Sequence, residues 1–430
     1  MLLVYSPNIN NRLEYIVRTI VRSEVVFTSD VNEFIQYEGA KINYSPDVIG
    51  QEALHITPHG LLNETGFRQQ KTECFDWNGY KAFFKTNGDI PFDIFSASFY
   101  LITRYEEYLP HKLDIYERYA HTNSLAFKEG FLKLPLVNLW MMKLEEILLQ
   151  KFPSFQFQSA TFSFLPTYDI DIAYSYKGKG RLKNTAGIIL SFLSGETALV
   201  KERIAVLKGR IKDPFDTFDW IDALHEAYKL QPAYFLLTII SRGRYDKNLP
   251  ACSPELQELY RRLSLKYTVG LHPSWQSNFT DNLLGKEINT LQNIIAKPVT
   301  ISRNHYLKFT LPYSYRKLID SGITDDYSMA YSTINGFRAS YTNEHRWYDI
   351  EKEQTTSLKV HPFSYMEANS YFEQHYIAGQ AALEIQYYHD VVKKVNGTFI
   401  VLFHNHFLAE QKQWLPWRKM YADFLQKNFG

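Results

Sequence analysis

Hydrophobic and polar positions follow two regimes along the chain. Through about residue 155, short apolar runs mix with helical periodicity. Leu2–Tyr5 and Val25–Thr28 read as buried strands flanking a helix near Asn11–Arg22. Ile90–Leu109 carries an amphipathic repeat ending at Pro110, and Leu139–Lys151 reads as a helix stopped by Pro153. From about residue 160, apolar runs alternate regularly with helices. Strands are expected at Thr161–Tyr168, Ala233–Thr238, Tyr267–Leu271, Val299–Ser302, near Gly322–Tyr327, near Gly336–Ala339 and at Thr398–Phe403. Helices are expected at Thr217–Leu230, after Ser253 with Pro254 and Glu255 as N-cap and first turn, at Asn282–Ala296 and over a long Tyr371–Val395. The alternation predicts an α/β chain, with residues 1–155 as a smaller α/β domain and 160–430 as a barrel or doubly wound sheet.

Composition narrows the partners more than the fold. Lys plus Arg (47) nearly cancels Asp plus Glu (46), so no global basic field draws in nucleic acid. The two cysteines, Cys74 and Cys252, form no CxxC pair, which argues against a disulfide scaffold or a thiolate zinc site. The start, Met1 to Pro7 followed by Asn8, Asn10 and Asn11, has too short an apolar stretch for a signal peptide. The longest apolar runs, Ala233–Ile240 and the region around Gly187–Leu193, fall well short of the ~20 residues of a membrane span. A cytoplasmic protein with no membrane span is expected, its oligomeric state left open. Aromatic residues are abundant (Trp 7, Tyr 31, Phe 30), which suits both cores and sugar-stacking surfaces.

Chemistry-bearing residues gather at the C-terminal ends of the expected strands. Asp169 and Asp171 close the first, His272 the third, Arg303 the fourth, Asp325 and Asp326 the fifth, and His404 the last. In a β/α barrel those ends converge on one mouth. The first 155 residues offer no such constellation, and Arg104-Tyr105-Glu106-Glu107-Tyr108 reads as an exposed helix end. His406 follows His404 by two residues and points to the opposite face if the strand continues. His361, His375 and His389 read as loop or helix-surface residues, and Tyr176–Gly180 as a flexible loop near the site.

The order of these residues resembles the polysaccharide deacetylases, the carbohydrate esterases with a NodB-type homology domain. Thr167-Tyr168-Asp169-Ile170-Asp171 is similar to their first motif, usually Thr-Phe-Asp-Asp. His272-Pro273-Ser274-Trp275-Gln276 resembles the second and Arg303-Asn304-His305-Tyr306 the third. Asp325-Asp326-Tyr327-Ser328-Met329 takes the place of the fourth, and Leu402-Phe403-His404 that of the fifth. Tyr176–Gly180, Asp213–Phe218, Gly336–Ala339 and Phe403–Asn405 resemble a bacterial subgroup that carries an extra N-terminal domain without assigned activity.

The resemblance implies a distorted (β/α) barrel of about seven strands and a metal-dependent hydrolase that removes acetyl groups from an N-acetylated sugar, polysaccharide or glycan precursor. It places a divalent metal, zinc by its ligand types, on Asp171 and His272, where it would bring bound water towards a pKa of ~7. Asp169 would be the base, oriented by Arg303, which Asp326 or Asp325 would pair in turn; His404 would protonate the leaving amine. The Tyr306 N–H would meet the oxyanion, and Trp275 and Trp414 are the better placed sugar platforms among Trp275, Trp347, Trp414 and Trp417.

The chain departs from the family at the second motif, where Gln276 stands in place of the usual second histidine ligand, and at the third, where His305 replaces proline. The third ligand is therefore His305, Gln276 or absent. If it is absent, the alternative is a catalytically silent carbohydrate-binding protein on the same barrel.

Overall fold

The structure is a computed structural model that describes residues 1–241 and 243–430. The chain is mixed α/β and builds two main sheets. In the first region, β1 (Leu2–Tyr5), α1 (Asn11–Ile20), β2 (Val25–Thr28), α2 (Val31–Gln36), β3 (Lys41–Tyr44) and β4 (Leu54–Ile56) form a parallel sheet of order β2-β1-β3-β4. The hairpin β5 (Phe75–Trp77) and β6 (Tyr80–Ala82) follows, then α3 (Ile94–Ile102), α4 (Leu125–Lys128) and α5 (Leu136–Lys151). The expected Ile90–Leu109 helix is shorter: the Asp93 side chain caps the start of α3, and the left-handed Arg104 (φ 57) follows its end, while every residue of α3 is buried, so it has no polar, solvent-facing side.

The second sheet holds nine strands in the order β12-β13-β11-β10-β9-β8-β7-β15-β14. These are β7 (Ser163–Ile170), β8 (Ala233–Leu237), β9 (Thr268–His272), β10 (Ile301–Ser302), β11 (Asp325–Asp326), β12 (His345–Asp349), β13 (Gln354–Val360), β14 (Tyr365–Met366) and β15 (Thr398–His404). Every pairing is parallel except β12 with β13. The helices between them are α6 (Arg181–Leu193), α7 (Thr197–Leu207), α8 (Phe218–Tyr228), α9 (Pro254–Lys266), α10 (Leu283–Ile295), α11 (Tyr313–Asp320), α12 (Ala378–Lys394) and the closing α13 (Leu415–Phe429).

Central strands are buried on both faces and hence read as unbroken apolar runs, as in the fully buried β8. Pro166 is tolerated inside β7 because β15 alone pairs it there: the register with β8 starts one residue later, at Thr167. The sheet curls. Strands three places apart in a flat sheet lie ~14 Å apart, yet Arg303 after β10 contacts Asp169 of β7 at 2.9 Å. Hydrogen bonding does not close it among the described residues, since the edge strands β12 and β14 are not paired.

Several expectations need correction. The sheet has nine strands rather than about seven. Gly336–Ala339 is a turn, not a strand; Gly336 has φ +152 and its Cα lies against the Leu132 backbone, where a side chain has no room. The strands β12, β13 and β14 lie where none was expected. The long Tyr371–Val395 helix is broken: a π-helical turn at Asn369–Glu373 precedes α12.

The Arg104–Tyr108 segment is buried, not exposed. Arg104 pairs with Glu106 (2.8 Å) and Glu107 (2.7 Å), and Glu107 pairs with Arg338 at 2.6 Å. Opposite charges from distant segments make this burial tolerable, and they join the two regions. His389 is also buried, on the inner face of α12 among Phe162, Phe399, Phe424 and Phe429.

Candidate active site

Strands β7, β9, β10 and β15 end together at one side of the sheet, and residues at or just beyond their ends line a cavity of about 410 Å³. At its floor, Asp171, His272 and His305 each offer a ligand atom within 4.8 Å of the others. Asp171 Oδ1 lies 3.1 Å from His272 Nε2, and Asp171 Oδ2 lies 3.4 Å from both His305 Nε2 and His404 Nε2. Asp171 Oδ1 is buried and has no hydrogen-bond donor in bonding geometry among the described residues.

The other nitrogen of each ring is engaged. His272 Nδ1 meets the Arg303 carbonyl oxygen, His305 Nδ1 meets Asp246 at 2.8 Å, and His404 Nδ1 meets Glu367 at 2.7 Å. A carbonyl oxygen only accepts, so His272 carries its proton on Nδ1 and turns the lone pair of Nε2 towards Asp171. Carboxylate and carbonyl partners on Nδ1 orient imidazoles for metal binding in the same way. Two imidazoles and a carboxylate with a buried, unpaired oxygen fit a divalent cation of the zinc type.

Electrostatics agree with a cationic cluster around one carboxylate. Burial would raise the Asp171 carboxyl, but the charge on His305 and the nearby imidazoles of His272 and His404 hold it well below the usual range. Burial would lower His305, yet Asp171 and Asp246 push it up to about 9. Burial likewise opposes the charge on His404, and Glu367 with Asp171 raises it well above the ordinary histidine value.

Asp169 is buried beside this cluster. Its Oδ1 accepts from Arg303 Nη1 at 2.9 Å, and its Oδ2 lies 3.6 Å from His272 Nε2. Arg303 is fully buried and also donates to Thr167 Oγ1 and the Tyr327 carbonyl, with its guanidinium over the Phe235 ring. Its orientation is thus fixed from several sides.

Asp326 does not pair with Arg303. It is buried and accepts from Ser302, the Ser328 N–H and Ser328 Oγ, and Ser328 Oγ in turn accepts from the Asn304 backbone N–H. Asp326 therefore steadies the backbone just before His305. Asp325 pairs instead with His361 at 2.7 Å. Tyr306 lines the cavity, and both Tyr306 (φ 60) and Leu307 (φ 49) are left-handed, which turns the chain sharply after His305.

The proposed sugar platforms do not line the cavity. Trp275 packs on Tyr245 and Phe279, and Trp414 stands behind His406 and Phe407. Gln276 does not line it either. His406 does, contrary to expectation, because the chain leaves β15 at His404 and enters a short 3-10 turn, so strand alternation no longer applies. The Tyr176–Gly180 loop is tied down: Asp213 accepts from the N–H groups of Ser175, Tyr176 and Lys177.

Sequence reasoning missed four contributors. Asp246, the partner of His305, sits in a loop, and Glu367, the partner of His404, directly follows β14, a strand that was not expected. Tyr116 and Arg118 come from the first region to wall the cavity. Arg118 donates to the Tyr306 carbonyl at 2.7 Å, and the Tyr116 ring packs on Tyr245 and Tyr306.

A profile of the family of unknown function DUF7033 matches residues 2–153. No curated protein matches the chain in sequence. Among solved structures, a candidate polysaccharide deacetylase from Mycobacterium smegmatis is similar at 10% identity and TM-score 0.40, covering 63% of this chain and 86% of that one. A polysaccharide deacetylase from Bacillus cereus is similar at 14% identity and TM-score 0.29, covering 63% and 88%. The peptidoglycan deacetylase PdaC from Bacillus subtilis is similar at 12% identity and TM-score 0.23, covering 64% and 98%. Likeness at this level carries no functional weight, which rests on the side-chain geometry.

Proposed function

We propose that the chain is a metal-dependent hydrolase that removes acetyl groups from an N-acetylated sugar, polysaccharide or glycan precursor, on a barrel-like second domain (residues 160–430) preceded by a smaller domain (1–155). The observation that carries this reading is the meeting of Asp171, His272 and His305 at one point, with Asp169 and His404 on its flanks. Asp171, His272 and His305 would hold the cation, with His305 in the role the family gives to the histidine replaced here by Gln276. Bound there, a divalent cation supplies Lewis acidity and activates water.

The residues then divide the proton work. Asp169 Oδ2 faces the ligands while Oδ1 is held by Arg303, so the free oxygen accepts a proton from the attacking water. Arg303 keeps that carboxylate in place. His404, with Nδ1 fixed by Glu367, points Nε2 into the cavity and gives a proton to the departing amine. The turn at Tyr306 and the Tyr116 and Arg118 wall position the sugar.

The test is acetate release from N-acetylglucosamine oligomers by metal-loaded protein, with and without chelator. Release that stops on chelation supports the proposal. Sugar binding without metal or acetate release would instead favour the silent binding protein.

A further inference from the structure

Residues 177–212 carry nine Lys and Arg against two Glu, in a chain whose formal charge is only +1. The basic excess of the molecule is concentrated in this one segment. It forms the hairpin of α6 and α7, which pack on each other between β7 and α8. No residue of α7 is buried, and Asn184 alone is buried in α6.

The hairpin has two unlike ends. At its turn, Ile189, Leu190, Phe192 and Leu193 are 53%, 65%, 67% and 76% exposed. Clustered apolar exposure of this kind marks an interaction site. At its base stand Lys179, Arg181, Lys183, Lys208 and Arg210. The base is anchored: Asn184 donates to the Tyr176 carbonyl (3.1 Å), and Glu202 accepts from Tyr176 (2.7 Å) and Gln411 (3.1 Å). Arg203 lies across α6 at Gly187, where any side chain would displace it.

We propose that this hairpin docks the protein on an anionic phospholipid bilayer. No described helix is long and apolar enough to cross a membrane, so the hairpin lies in the interface. A helix the length of α6 spans ~20 Å. With the tip sunk ~5–10 Å to the acyl boundary, an upright hairpin leaves its base cations ~10–15 Å from the surface, at or just beyond a Debye length of ~8–10 Å, and tilt into the interface brings them closer. Charge decides the occupant: a second copy would bring an equally basic hairpin against this one, whereas anionic lipid complements it. The hairpin follows β7 in the chain, the strand that supplies Asp169 to the cavity and is followed directly by Asp171 and Ile172 in its lining.

The test is co-sedimentation of the full chain with phosphatidylcholine vesicles, with and without phosphatidylglycerol, at physiological ionic strength. The wild type is expected to pellet with the anionic vesicles. A Leu190→Glu/Phe192→Glu/Leu193→Glu protein with an unchanged thermal melt is expected to bind them at least about tenfold more weakly. Lys183→Gln/Lys208→Gln, which leaves the tip intact, is expected to weaken binding and flatten its salt dependence. The proposal is overturned if the wild type stays in the supernatant, or if the tip variant binds undiminished. Self-association abolished by the tip substitutions, without vesicle binding, also overturns it. None of these readouts depends on hydrolysis.

Discussion

His305 lies between two carboxylates, Asp171 at Nε2 and Asp246 at Nδ1, and Asp246 also accepts from the Trp275 backbone N–H at 2.9 Å. Asp246 thereby fixes which nitrogen of His305 would face a cation held there. Asp246→Asn is expected to lower metal affinity about 10–100-fold, measured by competition with a chromophoric chelator; an unchanged affinity would remove Asp246 from the site. Asp169 works differently, because it sits beside the ligands rather than among them. Asp169→Asn keeps shape and removes charge, so metal content should persist while turnover falls about 10²–10⁴-fold. Activity within a factor of two of the parent would sink the base assignment. Asp169, Asp171, His272, Arg303 and His404 were legible in the sequence because buried parallel strands are apolar until they end, and a polar residue at the end stands out. Asp246 and Glu367 were not, since Asp246 sits in a loop, Glu367 follows the unexpected short strand β14, and each acquires its role from a histidine far away in sequence.

At the scale of elements, the Arg104–Glu107–Arg338 network shows why charge patterns mislead. A run of charged residues usually means a solvated face, and only the fold brings Arg338 to Glu107. Removing one member leaves a buried charge unpaired, so Arg338→Met is expected to cost about 3–5 kcal/mol in chemical denaturation. A loss below about 1 kcal/mol would mean the network contributes no more than an exposed pair. Helix punctuation was more legible. Pro254 does open α9, although the Ser253 hydroxyl bonds Glu255 at 2.7 Å rather than capping the helix. The break before α12 was not legible, because the apolar period carries through the π-helical turn that brings Asn369, Phe372 and Glu373 to the cavity.

Across the whole molecule, buried histidines and the Glu107 network set the response to acid. Burial lowers His345 to about 4 and His225 to about 3. Their unfolded forms take up protons below about pH 6.5 while the folded forms do not, so stability falls as pH drops from there. Burial would raise Glu107, but Arg338 and Arg104 hold it at about 2. Its contribution is complete above the unfolded value near 4.5 and fades as pH falls towards 2. Denaturation midpoints should therefore decline steadily below about pH 6.5 and more steeply below about 4.5; a midpoint flat to pH 4 would contradict this. The regular alternation after residue 160 made the α/β class readable, whereas the wall supplied by Tyr116 and Arg118 was not, because it depends on how the two regions meet.

The central claim is that Asp171, His272 and His305 hold one divalent cation. Its most direct measurement is zinc stoichiometry, by elemental analysis, of the wild type and of His272→Ala, His305→Ala and Gln276→Ala proteins purified without chelator. The account predicts one zinc per chain in the wild type and in Gln276→Ala, with loss in both histidine variants. Full zinc in His305→Ala, or none in the wild type, would contradict it.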